Sequence, residues 1–218
     1  METKNKNIFW EALVLSIFIF GVGIFLGYLL EMNRTSQIIS AYQQSELDLL
    51  DAKIQNDIFS LKNISCSHAI NESIGFADRI YYDAKLLEKY ESASQIGKEI
   101  IQQHKKYDLL RLMLWSNVIK IKEKCNTKLN IVVYFYEYQT EELGKKSMQA
   151  AFSKKLSQLK EEYSDKIILI PIAGNIEANS MNYLRGFYDI EVLPTILINE
   201  KIKISDVEGL KNITSYLV

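Results

Sequence analysis

Residues 184–199 read LRGFYDIEVLPTILIN, and this stretch decides the fold. A polar, amphipathic run gives way at Val192 to a proline-entered apolar run, VLPTILIN, whose composition is that of a buried strand. Asn199-Glu200 then reads as a tight turn into KIKIS at 201–205, making a hairpin, and a last helix is expected from about Glu208 to Leu217. Upstream, 179–189 reads as a short helix and KIILIPI at 166–172 as a strand. Residues 140–163 carry Met148, Phe152, Leu156 and Leu159 on one side of a helix. LNIVVYFYEY at 129–138 is β-branched and aromatic, with Ile131 to Tyr136 apolar enough for burial on both faces. The order is β-α-β-α-β-β-α. Two βαβ steps with right-handed crossovers and a closing antiparallel hairpin predict a small mixed sheet with helices on its faces. Pro171 fits an edge position for the 166–172 strand, where a missing backbone donor is tolerated.

The residues from Leu184 to Asn199 resemble the helix-to-strand passage of the thioredoxin superfamily, with Pro194-Thr195 followed by apolar residues. The resemblance covers residues 128–218. It implies an α/β thioredoxin-like domain in which Pro194 is cis and faces the turn that carries the redox pair in active members. Here that slot holds Thr140-Glu141-Glu142-Leu143, and residues 126–218 contain no Cys, so the domain itself has no thiolate for exchange. Thr140 reads instead as a helix N-cap, with Glu141 and Glu142 at the positive helix end. What the resemblance leaves intact is the groove beside the cis proline, built here from Tyr138, Gln139, Thr140, Leu193, Pro194 and Thr195. Such a groove lines up extended peptide by strand-like hydrogen bonds. The order anchor, helices, thioredoxin-like domain also resembles that of small archaeal-type membrane proteins.

Before the strands lies a region without Pro from Glu31 to Lys124, rich in helix formers. Tyr107, Leu110, Leu114, Val118, Ile121 and Cys125 form one helical stripe. Phe76, Ile80, Ala84, Leu87 and Glu91 form a second, and Ile38, Tyr42, Leu47, Leu50, Ile54 and Ile58 a third. Breaks are expected near 62–68 and 91–97. Cys66 and Cys125 lie symmetrically about the second break, so an antiparallel hairpin brings them together at its open end. A disulfide there closes a loop of about 60 residues, worth roughly 4 kcal/mol in the chain-entropy model. Two free thiols or a metal site are the alternatives. A metal would need Cys66, His68, His104 and Cys125 to converge. His104 sits mid-arm, so no metal and no cofactor is expected, and both histidines read as surface or interhelix polar residues.

Residues 12–30, ALVLSIFIFGVGIFLGYLL, carry no charge and as a helix reach about 29 Å, the thickness of a hydrocarbon core. Trp10 and Tyr28 suit the two interfaces. The organisation expected is a short cytoplasmic tail (1–7), a transmembrane helix (8–30), a helical stalk or hairpin (31–126) and the thioredoxin-like domain (127–218). Lys4, Lys6 and the α-amino group precede the anchor, whereas Glu31 and Arg34, then Glu46 and Asp48, follow it. This favours a cytoplasmic N-terminus and an extracytoplasmic bulk. Acceptor sequons at Asn33, Asn63, Asn71 and Asn212 all follow the anchor. Gly23 and Gly27 have the spacing of a close helix–helix contact, hence of a homodimer.

With 26 Lys+Arg against 27 Asp+Glu the chain lacks the cationic excess that nucleic-acid binding requires. Two Cys and two His exclude a zinc-cluster scaffold. The expected function is a membrane-tethered, redox-inactive module that binds a protein partner outside the cytoplasm. A structural subunit acting through its helical hairpin is one alternative. A thiol–disulfide oxidoreductase using Cys66 and Cys125 is another, weakened because a pair outside the domain's own site is expected to lack a helix-end field.

Overall fold

The seven-residue runs 130–136 and 167–173 are buried almost throughout because helices cover both faces of the sheet they form. The computed structural model describes residues 2–61, 65–91 and 98–217. The helices are α1 (Glu2–Leu61), α2 (Cys66–Glu91), α3 (Lys98–Cys125), α4 (Leu143–Tyr163), α5 (Asn179–Phe187) and α6 (Val207–Lys211). The strands are β1 (Asn130–Tyr136), β2 (Ile167–Ala173), β3 (Thr195–Ile198) and β4 (Ile202–Ile204). From β1 onward the order is the expected β-α-β-α-β-β-α, with 3-10 turns at Ser164–Lys166 and Ile213–Tyr216. The last helix is therefore two short pieces rather than one.

The four strands lie in the order β2-β1-β3-β4. β1 and β2 are parallel, from Asn130↔Ile167 to Tyr136↔Ala173, joined by the 21 residues of α4. β3 runs antiparallel to β1, so the second crossover expected from the sequence is not a parallel one. The reason is length. A seven-residue strand spans about 23 Å, whereas the nine residues of α5 rise only about 14 Å, so the chain returns near the end of the sheet it left. The hairpin turns at Asn199 and Glu200, both left-handed (φ 50 and 59), and closes with Lys201 N–H to Ile198 C=O at 3.1 Å.

Alternation sorts the strand residues into two cores. Ile131, Val133, Phe135, Ile168, Ile170 and Ile172 pack against Phe76, Ala77 and Ile80 of α2, against Tyr107, Leu114, Trp115 and Val118 of α3, and against Met181 of α5. Val132, Tyr134, Ile167, Leu169, Ile196 and Ile198 pack against Phe152, Leu156 and Leu159 of α4, with Leu210 and Ile213. The helices read as a stalk are thus one wall of the α/β core, and the change near residue 126 marks secondary structure rather than a break in packing. Helix α2 also shields β2, which is the edge strand that Pro171 pointed to. Tyr81 reaches past that edge to the α4 side, where its hydroxyl donates to Ser157 Oγ at 2.9 Å, and Asp78 pairs with Lys160. A covered edge offers no template to another chain.

The Cys66–Cys125 disulfide is formed, with Cα atoms 5.6 Å apart, and joins the start of α2 to the end of α3. The expected turn at 91–97 falls mainly on residues 92–97, and Asn63 on 62–64, both outside the described residues. Helix α1 is continuous for 60 residues, about 90 Å. Phe9–Asn33, of mean hydropathy 2.6, is long and apolar enough to cross a membrane. Its Gly23 and Gly27 face open space. Farther on, Glu46 pairs with Lys106 of α3. Leu47, Leu50, Ile54 and Ile58 stay exposed, so that stripe is not core; the side chains of Ile38, Tyr42, Ala84, Leu87 and Glu91 lie outside the description.

Candidate functional site

At the carboxyl ends of β1 and β2 the ladder stops but its hydrogen bonding continues through side chains. Gly174 N–H donates to Tyr136 C=O at 2.7 Å. The next residue, Asn175, clamps Tyr138 from its side chain, accepting from Tyr138 N–H at 2.8 Å and donating to Tyr138 C=O at 2.9 Å. Gln149 of α4 accepts from Glu137 N–H at 2.6 Å and donates to Glu137 C=O at 3.3 Å. These two amides fix the backbone of Glu137 and Tyr138 as the chain turns through Tyr138 and Gln139, the latter left-handed at φ 56. Thr140 is buried, yet α4 starts only at Leu143 with Glu142 as its cap residue. The N-cap role expected of Thr140 is therefore not realised, because the Gln139 turn sets the helix start three residues later. Glu142 makes no side-chain cap bond; with Glu137 it is paired to Lys145, at 3.5 and 2.8 Å. The hydrogen bond from Lys145 holds the Glu137 carboxyl below its ordinary range.

Facing this turn is the loop into β3. The Leu193-Pro194 peptide is cis, and Thr195 pairs with Phe135 as β3 joins the sheet. Leu193 lies directly over Gly174. A Cβ on Gly174 would sit 2.7 Å from Leu193 Cδ2, so a larger residue there would push the Leu193 side chain aside. Arg185 of α5 pins the loop, donating from Nη1 to Gly174 C=O, from Nε to Ile190 C=O and from Nη2 to Glu191 C=O, at 3.1–3.2 Å. Thr195 Oγ1 donates to Val192 C=O at 2.7 Å. Among the described residues, the backbone N–H and C=O of half-buried Leu193 make no hydrogen bond. The structure therefore sets Tyr138, Gln139 and Thr140 and Leu193, Pro194 and Thr195 on either side of the Gly174-Asn175 turn.

Beneath Tyr136 and Tyr138 lies a charged cluster that the sequence reading missed. His104, Asp108 and Arg111 occupy one face of α3 and are 6%, 0% and 2% exposed. The His104 ring stacks on Tyr138 with centroids 3.7 Å apart. Its Nε2 lies 3.0 Å from both Tyr136 Oη and Asp108 Oδ2. Arg111 Nη1 donates to Asp108 Oδ1 at 2.9 Å, and its guanidinium lies over the Tyr107 ring at 3.9 Å. Burial alone pushes the Asp108 carboxyl up. The His104 and Arg111 charges and hydrogen bonds from His104 and the Ala173 backbone outweigh it and hold the group below the usual carboxylate range. Residue spacing 104, 107, 108, 111 was the available signal: a polar interruption of the apolar stripe on α3. His104 is thus a buried floor residue, not a surface one, whereas His68 is exposed.

Cys125 lies 21 residues from His104 along one helix, about 31 Å, so the four soft ligands do not converge. Both thiols are engaged in the disulfide. Cys66 is, however, the first residue of the 26-residue α2, so the helix-end field expected to be missing is present at its sulfur. Asn33, Asn71 and Asn212 are exposed. No family model matches the chain, and no curated protein matches it. Among solved structures the chain is similar to one described as "Structure of a malarial protein", with 20% identity, 41% of this chain and 99% of that chain covered, and a TM-score of 0.28.

Proposed function

We propose that this chain is a single-pass membrane protein whose thioredoxin-like domain holds an extended segment of a partner protein in the groove between Tyr138–Thr140 and Leu193–Thr195. The observation that carries the reading is the open backbone of Leu193, in the bend two residues before β3, whose donor and acceptor face no partner among the described residues. A guest strand supplies both missing bonds, which is how strand addition gains affinity without dedicated side chains. Exposed Leu143 and Val192, three positions from Thr140 and one from Leu193, are the apolar side chains on offer to the guest. The anchor in α1, a cytoplasmic N-terminus and an extracytoplasmic domain complete the reading. In it the Cys66–Cys125 bond is a structural staple, and no thiol chemistry occurs in the groove.

The test uses the full chain in nanodiscs of neutral lipid, with Val192→p-benzoylphenylalanine at the groove and Lys154→p-benzoylphenylalanine on the far side of α4 as control. An about ten-residue peptide alternating Val and Ser is the guest. Photolysis should join the peptide at position 192 and not at 154. Equal labelling at both positions, or none at 192, removes the groove reading.

A second reading is favoured by one observation, the place of Cys66 on the first turn of α2. In it, the thiolate of an external protein dithiol attacks the disulfide. A mixed disulfide forms, the second thiol of the dithiol resolves it, and two electrons pass to Cys66 and Cys125. Millimolar dithiothreitol under native conditions should then open the bond within minutes. A bond that stays closed until the chain unfolds leaves the staple role alone.

A further inference from the structure

The two stretches that meet at the groove are acidic for a chain of net charge −1. Residues 137–145 and 174–195 together carry Glu137, Glu141, Glu142, Glu177, Asp189 and Glu191 against only Lys145 and Arg185. Both cations are already engaged. Lys145 is shared between Glu137 and Glu142, and Arg185 is held by three backbone carbonyls. Exposed Glu141, Glu177 and Glu191 have no ion-pair partner among the described residues. They stand three, two and two positions from Tyr138, Asn175 and Leu193, the residues that the Asn175 clamp and the Gly174–Leu193 contact bring together.

We infer that the groove selects a cationic guest: an extended polypeptide segment in which Lys or Arg alternates with apolar side chains. The inference rests on the groove reading and adds the chemistry of the partner. In a strand, side chains alternate between two faces. With its backbone on Leu193, the guest turns one set toward Leu143 and Val192 and the other toward the three unpaired carboxylates. Charge of this kind selects among partners and speeds encounter, and it weakens with salt.

The experiment measures binding of three fluorescent peptides, alternating Val with Lys, Ser or Glu, to the full chain in neutral-lipid nanodiscs. The native chain should bind the Lys peptide about tenfold more tightly than the Ser peptide and the Glu peptide most weakly. The preference should shrink in 0.5 M salt and vanish in Glu141→Gln/Glu177→Gln/Glu191→Gln, whose Ser-peptide affinity stays native. Equal affinity for all three peptides, with labelling still at position 192, overturns the charge inference and leaves the groove. A Lys preference that survives the triple substitution overturns it too, since the selectivity then lies elsewhere. Absence of any labelling at position 192 overturns the groove and the inference together.

Discussion

Asn199 does more than turn a hairpin. Its side chain accepts from Ile131 N–H at 3.0 Å and from Lys122 Nζ at 2.7 Å, and donates to Asn130 Oδ1 at 3.0 Å, while its backbone sits at φ 50. One residue thus ties the β3–β4 turn to β1 and to α3. Asn199→Ala removes three partly buried bonds and puts a Cβ without a compensating amide in the left-handed region. It should cost about 2–4 kcal/mol, measured by urea unfolding of the detergent-solubilised chain. Asp108 is a second such residue. Asp108→Asn leaves the buried Arg111 without its counter-charge, an expected loss of about 3–5 kcal/mol at neutral pH. The Asp108 carboxyl is lowered in the fold, so its stabilisation is complete above the unfolded value of about 4 and is lost as pH falls through the lower folded value. The stability gap between the native chain and Asp108→Asn should therefore narrow as pH falls from about 5 toward 2. A gap that does not change over that range would show that the carboxylate is not the group at work. Asn199 was legible in the sequence as a turn residue. Asp108 was not, because a carboxylate on a helix reads as solvated until a histidine, an arginine and a strand end are placed around it.

At the scale of elements, α2 and α3 are bound to each other by a disulfide and to the sheet by an apolar face, and α2 is bound to α4 as well through the Tyr81–Ser157 and Asp78–Lys160 contacts. The Cys66→Ser/Cys125→Ser double substitution opens a loop of about 60 residues. It should lower stability by roughly 4 kcal/mol in urea while leaving helical content unchanged, since each helix keeps its own packing. Helix α1 contrasts with them. Its glycine pair and its row of Leu47, Leu50, Ile54 and Ile58 lie on nearly opposite sides of a straight helix at 100° per residue. A dimer packed through Gly23 and Gly27 would leave that row uncovered. Strand and helix existence was read well from periodicity. The direction of β3 was not, because a short helix and a long one carry the same amphipathic signal, and only length decides whether the chain crosses the sheet.

For the whole molecule the consequence is that the α/β unit is not separable at residue 127. A fragment of 127–218 would expose Ile131, Val133, Phe135, Ile168 and Ile170 on one sheet face, all 0% exposed in the full chain. It should fail to fold cooperatively, binding a hydrophobic dye and giving no sharp thermal transition, whereas 65–218, which keeps α2 and α3, should show one. A fragment of 127–218 that melts cooperatively would return the helices to the role of a stalk.

The sequence by itself determined the parts that depend on near neighbours. These are the apolar segment at the N-terminus, the order β-α-β-α-β-β-α, the Pro171 edge, the Asn199-Glu200 turn and the pairing of two symmetrically placed cysteines. Each follows from periodicity, charge or backbone preference within a few residues, or from a count along one hairpin. Only the tertiary structure decided that α2 and α3 wall the sheet, that β3 runs against β1, and that the His104, Asp108 and Arg111 cluster lies against Tyr136 and Tyr138. Those facts depend on which apolar face meets which and on how far a helix carries the chain. Such contacts join residues that lie far apart in sequence, and no local pattern encodes the partner.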